Sequence, residues 1–386
     1  MRLWVRADAS IEIGTGHIYR CLSIAKSLQK HEIEVIFLCR PFAGNLIDFI
    51  RQQGFECREL VYRPVESLNL MQEMPSYQQK KTPYEAWLEG TWQQDITAVI
   101  ESAADFKQVG ANRDVWLVDH FGLDYRWHEA HKQVFKAGLI AIDGQANRGM
   151  AVDIVIEPSP CKNLEKWQSV IAQNTRALQG FEWIPLAPKF LKLRSSCQIR
   201  FKLNQVLIAF GGVDKPNLTL KALEVAQDYF EKVVVVVGRN FQGLVTLQER
   251  CHRLQNVSLH VQTDQLPELM LESDFAIGAG GTMVWERAYL GLPTIITAIA
   301  ENQNAQIRCA LSKKIVKEVP FSENYAQELD KQLRWFQENS HQLVEMSKNA
   351  LELSQNVGKS WGALVSFMAK CDELKSTNAK IFKSGL

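Results

Sequence analysis

Residues 3–28 of the chain are LWVRADASIEIGTGHIYRCLSIAKSL. The first five residues form a short apolar run with the composition of a buried β-strand. From residue 18 onward, apolar side chains recur every three or four positions, which predicts a helix that begins near Gly16 or His17. A strand joined to a helix by a short glycine-rich turn is the first part of a βαβ unit, so this stretch predicts a parallel sheet.

The same alternation continues through both halves of the chain. Further strand-like runs in the first half are EVIFLC at 34–39, VWLVD at 115–119 and LIAID at 139–143. Those in the second half are QVLIAFGG at 205–212, KVVVVVG at 232–238, VSLHVQ at 257–262, FAIGAGG at 275–281 and TIITAI at 294–299. The sequence therefore predicts an α/β protein with two Rossmann-like, doubly wound parallel-sheet domains.

The pattern fades between residues 156 and 202, where four prolines interrupt any long element. We interpret this segment as the connection between the domains and predict domains at 1–185 and 200–365, followed by a tail at 366–386. The polar stretch at 64–91 is interpreted as a loop over the cleft.

Composition excludes several classes of protein. The chain has 386 residues, enough for two domains, and a formal charge of +1 from 44 basic and 43 acidic residues that are intermixed. No basic face is therefore expected for nucleic acid. The apolar runs are well short of the ~20 residues that a membrane helix needs, and the first residues lack the apolar core of a signal peptide. We expect a cytoplasmic protein without stable membrane insertion.

The first glycine-rich turn ends with Gly14, Gly16 and His17. A histidine at a helix start lies beside the positive end of the helix dipole, which disfavours imidazolium and leaves the ring able to accept a proton. His17 is thus a candidate general base, and the alternative is that it only caps or packs beside the turn. Asp119 and His120 follow another strand and are expected to line the same cleft.

Two glycine-rich turns follow strands in the second half. At Gly211 and Gly212, close approach of a phosphate and simple tight turning are equally plausible. At 278–293, GAGGTMVWERAYLGLP offers free helix amides to a phosphate beyond Gly280 and Gly281.

Polar side chains accompany this third turn. Glu286 lies four residues after Thr282, on the same helix face, where a carboxylate can accept hydrogen bonds from ribose hydroxyls. The alternative for Glu286 is a surface ion pair with Arg287 or Lys313. After the next strand, the sequence AENQ supplies the amides of Asn302 and Gln303 to the same edge, although alone it would be an ordinary helix cap.

A metal site is not expected. His128 and His131 form an HxxH pair on a predicted helix, but no acid or cysteine completes a known ligand spacing.

Taken together, four segments resemble the PseG family, the bacterial UDP-sugar hydrolases of pseudaminic acid biosynthesis. These segments are RADASIEIGTGHIYRCLSIAKSL, LVDHFGLDYRW, IAFGGVDKPNLTLKALE and GAGGTMVWERAYLGLPTIITAIAENQ. The family is similar to the lipid II glycosyltransferase MurG. The resemblance, from Met1 to about Val365, implies a GT-B fold with the two domains facing a cleft.

The resemblance also implies an activity and roles for individual residues. Water attacks the anomeric carbon of a UDP-linked diacetamido-trideoxy-altrose, which releases UDP and the free sugar with inversion and without a metal or other cofactor. His17 matches the family's catalytic histidine, Asn302 an asparagine near the sugar, and 280–286 the UDP-binding segment.

The sequence departs from the family at one edge of the predicted cleft. Gly144 and Val152 stand where the family usually has an aspartate and a cysteine, and PSP at 158–160 replaces a more polar pattern. The identity of the sugar is therefore left open. Two other functions also stay open: a GT-B glycosyltransferase that passes the sugar to an acceptor, and a nucleotide-sugar binding protein without turnover.

Overall fold

A computed structural model describes residues 1–64, 81–106, 114–161, 163–355, 357 and 361–370. Most of the predicted loop at 64–91 and of the predicted tail at 366–386 lies outside these residues. In the described part of the chain, no helix combines the length and the apolar character needed to cross a bilayer.

Strands and helices alternate along the chain. The strands are β1 (Arg2–Ala7), β2 (Glu34–Cys39), β3 (Glu56–Glu59), β4 (Val115–Asp119), β5 (Leu139–Ile142), β6 (Ile154–Glu157), β7 (Arg176–Gln179), β8 (Gln205–Ala209), β9 (Lys232–Val237), β10 (Val257–Val261), β11 (Phe275–Ala279), β12 (Thr294–Thr297) and β13 (Val316–Glu318). The helices are α1 (Gly16–Leu28), α2 (Ile47–Gln52), α3 (Trp92–Ser102), α4 (Tyr125–Phe135), α5 (Glu165–Gln168), α6 (Pro188–Leu193), α7 (Leu218–Ala226), α8 (Leu244–His252), α9 (Leu266–Glu272), α10 (Thr282–Tyr289), α11 (Asn304–Ser312), α12 (Tyr325–Glu338), α13 (His341–Leu353) and α14 (Trp361–Lys370).

The first sheet has seven parallel strands in the order β3-β2-β1-β4-β5-β6-β7. Its central strands are apolar on both faces because each face is covered. One face packs into a core with α1 and α14, and the other packs into a core rich in tryptophan with α3 and α4. Strands buried on both faces read as continuous apolar runs, which is why the sequence reveals them.

The second sheet has six parallel strands in the order β10-β9-β8-β11-β12-β13. In both sheets the strand that comes first in the chain lies between the second and the fourth. The strand order therefore reverses between β1 and β4 and between β8 and β11, and ligands of open α/β sheets bind at the carboxyl ends of strands at such points. The predicted class, two doubly wound parallel sheets with helices, is confirmed.

Two differences from the prediction concern the ends of the predicted domains. The segment at 156–202, interpreted as a connection, carries β7 and the end of β6, which are strands of the first sheet with only four residues each. The helix α14 lies partly inside the range predicted for the second domain. Trp361, Leu364 and Val365 nevertheless belong to the core of the first sheet, so this helix joins the compact unit formed mainly by His17–Pro185, while Leu186–Val357 belongs to the other unit.

Candidate functional site

His17 and Asp119 meet at the carboxyl end of the first sheet. His17 is the second residue of α1, and Asp119 is the last residue of β4, where it is in register with Ala7 of β1. The Nδ1 atom of His17 lies 2.6 Å from Oδ1 of Asp119. A carboxylate at this distance orients the imidazole and favours the tautomer with the proton on Nδ1, which leaves Nε2 as the proton acceptor.

Arg20 completes a cluster with this pair. It lies three residues after His17 on α1, and its Nε and Nη2 atoms are 2.6 and 2.5 Å from the two oxygens of Asp119. Burial alone would raise the pKa of Asp119, but the charge of Arg20 and the hydrogen bonds from Arg20 and His17 hold it well below its usual range. Asp119 is therefore ionised, and both of its oxygens are engaged.

Asp119 and His120 were expected to line the cleft, and in the structure both side chains are buried. Asp119 is completely buried, so it is placed to orient His17 rather than to touch a ligand. His120 is 1% exposed; its Nδ1 accepts the Gly122 amide, and its Nε2 lies 3.2 Å from Asp8. Burial lowers the pKa of His120, although Asp8 opposes the shift. The buried imidazole of His120 is therefore neutral, and through Asp8 and Gly122 it supports the chain at the ends of β1 and β4.

A buried charge network fixes the start of the first turn. Arg6 on β1 contacts Asp8 at 2.8 Å and Asp95 of α3 at 2.5 Å. Asp95 also accepts hydrogen bonds from the hydroxyl of Tyr62 and from the indole of Trp127. Because Arg6 joins both carboxylates, the segment that connects β1 to α1 leaves the sheet from a rigid support.

Aromatic side chains surround His17. The ring of Phe121 packs edge-on against the imidazole with centroids 4.7 Å apart, and Trp87 is 6.1 Å away. Tyr84 packs on both Phe121 and Trp87. Phe121 is buried, whereas Tyr84 and Trp87 are half-buried. These two come from the described end of the predicted loop at 64–91 and give the imidazole an apolar environment.

In the second unit, the turn before α10 has the backbone geometry that glycine allows. Gly281 has a φ of 93°, and a Cβ on Gly280 would lie only 2.9 Å from the Cβ of Gln303. No side chain caps α10 among the residues that the structure describes. The first amides of an α-helix have no intrahelical acceptor, so the start of α10, at Thr282, can donate to a phosphate.

Glu286 lies one turn into α10 and is half-buried. Burial raises the pKa of its carboxyl group to about 7, and the nearby Arg287 only partly opposes this. No ion pair joins Glu286 to Arg287 or Lys313 in the described part of the chain, so the surface ion-pair alternative is not supported. A carboxyl group without an ion-pair partner beside a helix start is suited to accept hydrogen bonds from hydroxyl groups of a ligand.

The remaining predicted residues lie after β12 and after β8. Gln303 accepts the Ile299 amide at 3.0 Å and packs under Gly280, so it supports the turn. Asn302, its neighbour in the short 3₁₀ helix after β12, is half-buried. At the turn after β8, Gly211 has a φ of 101°.

The donors at the start of α7 are already used. The carboxylate of Asp214 accepts the amides of Leu218 and Thr219 at 3.1 and 2.8 Å, in the position that a phosphate would take. A Cβ on Gly238 would lie 2.4 Å from the Gly212 carbonyl oxygen. Of the two interpretations of Gly211 and Gly212, the structure favours a tight turn.

Both histidines of the HxxH pair lie in the interior of the first unit. His128 and His131 are completely buried in α4, and within the described ranges no group of three or more histidine, cysteine, aspartate or glutamate side chains has the arrangement of a metal site.

The sequence offered a signal for Arg20, which lies on the same helix face as His17, but no signal for the pairing of His17 with Asp119.

Comparisons with known proteins place the chain among distant relatives. Residues 211–313 match the model of a family described as a protein of unknown function, DUF354. The uncharacterized protein MJ1062 of Methanocaldococcus jannaschii is 23% identical over 77% of this chain and 55% of its own length, so the chain spans about half of that relative. The UDP-2,4-diacetamido-2,4,6-trideoxy-beta-L-altropyranose hydrolase of Campylobacter jejuni is 21% identical over 75% of this chain and 89% of its own length.

Among solved structures, MurG of Acinetobacter baumannii aligns with a TM-score of 0.59 at 15% identity, over 96% of this chain and 99% of that chain. The structural neighbours are GT-B glycosyltransferases such as MurG, which confirms the predicted GT-B fold. At this identity the likeness concerns the fold alone. The predicted cleft between the domains and the roles of individual residues stay predictions.

Proposed function

We propose that the protein hydrolyses a UDP-activated amino sugar at its anomeric carbon, with His17 as the general base. The observation that carries the proposal is the 2.6 Å contact between His17 and Asp119 at the carboxyl ends of β1 and β4. The distant similarity to a UDP-sugar hydrolase supports the choice of substrate class and of water as the nucleophile.

The second unit would hold the UDP moiety. The uncapped amides at the start of α10 would donate to the diphosphate, and Glu286 would accept the ribose hydroxyls. Asn302 would contact the sugar. The proposal requires that one substrate molecule contacts both units.

The chemical step follows from the orientation of His17. The oxygen of a water molecule forms a bond to the anomeric carbon while the bond from that carbon to the phosphate oxygen breaks. The water proton passes to Nε2 of His17, and the electron pair of the broken bond leaves with UDP. Asp119 stabilises the imidazolium that forms, and Arg20 holds Asp119 in place. Attack on the face opposite the leaving group inverts the anomeric centre.

The rate enhancements expected of these groups are consistent with this division of roles. UDP is a good leaving group, so the protein needs a base and stabilisation of the diphosphate charge more than a general acid. A positioned general base contributes about 10²–10⁴-fold in rate. Preorganised helix amides supply stabilisation of the leaving diphosphate.

The test compares release of UDP from UDP-sugars in water with release in the presence of acceptor sugars. Release in water alone supports hydrolysis, whereas release that depends on an acceptor indicates a transferase. No release with retained UDP binding indicates a binding protein without turnover.

The variant His17→Ala is expected to bind UDP as the wild type does and to lose turnover by about 10²–10⁴-fold. The matched control is His31→Ala, which changes an exposed histidine of the same unit and should leave turnover unchanged. Normal turnover in His17→Ala would contradict the assignment of the base.

A further inference from the structure

Arg287 is a buried cation whose donors are only partly used. Its side chain on α10 is 1% exposed, and its Nη2 atom donates to the Ala279 carbonyl oxygen at 2.6 Å. Among the described residues, Nε and Nη1 have no hydrogen-bond partner, and no carboxylate forms an ion pair with the guanidinium. Burying a charge in this way costs several kcal/mol unless an opposite charge offsets it.

The residue nevertheless carries its charge at neutral pH. Burial lowers the pKa of Arg287 to about 10, and Glu286 opposes the shift only slightly. The pKa of Glu286 is itself about 7, so that carboxyl group is only partly ionised at neutral pH. The fold therefore keeps a positive charge inside the second unit without a full counter-charge.

The guanidinium lies behind the glycine-rich turn. Ala279 is the last residue of β11 and directly precedes Gly280 and Gly281, and a Cβ on Gly278 would lie 2.5 Å from Nη1 of Arg287. The charge is thus held at the carboxyl end of β11, beside the residues that lead into the turn before α10.

Donor nitrogens without a partner are not a general feature of the buried arginines of this unit, as Arg200 shows. Arg200 is 6% exposed. Its three guanidinium nitrogens donate to the carbonyl oxygens of Ser273, Gln198, Leu290 and Leu271. Ser273 precedes β11, so Arg200 lies toward the amino end of that strand, whereas Arg287 lies at its carboxyl end. Every donor nitrogen of Arg200 is used, whereas Arg287 keeps two without a partner.

We propose that Arg287 is a positioning residue that supplies, from behind the turn, the positive charge that retains the diphosphate of the ligand. The inference rests on the proposed function in that it takes a nucleoside diphosphate as the ligand of this turn. The charge acts through the backbone of Gly278–Ala279 and the start of α10, so no direct contact with phosphate is required. The anion in turn offsets the buried cation.

The test measures dissociation constants of uridine, UMP and UDP for the full-length wild type, Arg287→Gln, Arg287→Lys and the control Arg200→Gln. In Arg287→Gln, the affinity for UDP should fall about tenfold or more, equivalent to about 1.4 kcal/mol, that for UMP should fall less, and that for uridine should not change. Arg287→Lys should restore most of the UDP affinity because it keeps the charge. Arg200→Gln is expected to lower thermal stability without this graded loss.

Two results would overturn the inference: an unchanged UDP affinity in Arg287→Gln, or an equal loss for all three ligands, which a purely structural role would produce. If Arg287→Gln does not fold, the Nε–H resonance of Arg287 in the wild type still decides, because UDP should shift it and uridine should not. The proposed function can fail separately. Graded UDP binding without release of UDP from a UDP-sugar in water would refute hydrolysis and leave this inference standing, whereas a wild type that does not bind UDP would refute both.

Discussion

Replacing His131 by leucine should make the first unit more resistant to acid. The imidazole lies within α4, completely buried, with its ring 5.2 Å from Trp127 and 4.7 Å from Trp116. Neither ring nitrogen has a hydrogen-bond partner among the described residues. Burial, with a smaller contribution from the charge of Lys132, lowers the pKa of His131 from 6.5 to about 3.

The magnitude follows from this difference in pKa. The unfolded chain binds a proton at this imidazole near pH 6.5, whereas the folded protein does so only near pH 3. Above pH 6.5 the two states bind the same number of protons, so this linkage has no effect there. As the pH falls from 6.5 toward 3, the free energy of unfolding decreases by about 1.4 kcal/mol per pH unit. At pH 4.5 the loss from His131 is about 2–3 kcal/mol.

The assay is urea unfolding at several pH values between 8 and 4.5. Leucine binds no proton, so the variant should retain about 2–3 kcal/mol that the wild type loses by pH 4.5. At neutral pH its stability should stay close to that of the wild type, because the exchange removes two buried nitrogens without partners. The variant will still lose some stability in acid, since burial also holds the pKa of His128 well below its usual value.

The control is His252→Leu at an exposed position in α8, and the pH dependence of this variant should stay that of the wild type. Parallel curves for the wild type and His131→Leu would refute the reasoning. They would mean that His131 is protonated in the folded protein, for instance through a hydrogen-bond partner that offsets its burial.

Two further predictions concern the candidate site. Asp119→Asn should lower turnover by about 10²–10⁴-fold while UDP affinity stays within about twofold, because an amide no longer stabilises the imidazolium of His17; unchanged turnover would show that the pair is only structural. Uridine should bind the wild type more tightly above pH 7 than below it, since the carboxyl group of Glu286, with a pKa of about 7, must ionise to accept the ribose hydroxyls. In Glu286→Gln the pH dependence between 5.5 and 8 should disappear and the affinity should fall about tenfold, and a persistent pH dependence would assign it to another group.

The sequence predicted the place of His17 but not its partners. The apolar run before GTGH and the helical spacing after it are both local, so the start of α1 could be located to within a residue. The pairing with Asp119 could not, because 102 residues separate the two positions. It depends on β4 lying beside β1, and strand order in a parallel sheet is decided by tertiary packing.

The missed strands have a different cause. The strands β6 and β7 have four residues each, and the prolines around them disguise the alternation. β6 pairs with β5 and β7, and β7 pairs with β6. Strands this short are stabilised by that tertiary pairing, so local propensity carries little information about them. Similarly, Asp214 at the start of α7 is visible in the sequence, but only the structure shows that its carboxylate occupies the donors that a phosphate would need.

The position of α14 has a consequence for the order in which the protein matures. Trp361, Leu364 and Val365 fill the core beneath the amino-terminal sheet, yet the ribosome adds them only after the whole of Leu186–Val357. Until then, the apolar side chains that these residues cover lack their partners from α14. One of them is Trp183, whose ring packs against Trp361 in the finished molecule. The half that contains His17 is thus synthesised first and completed last.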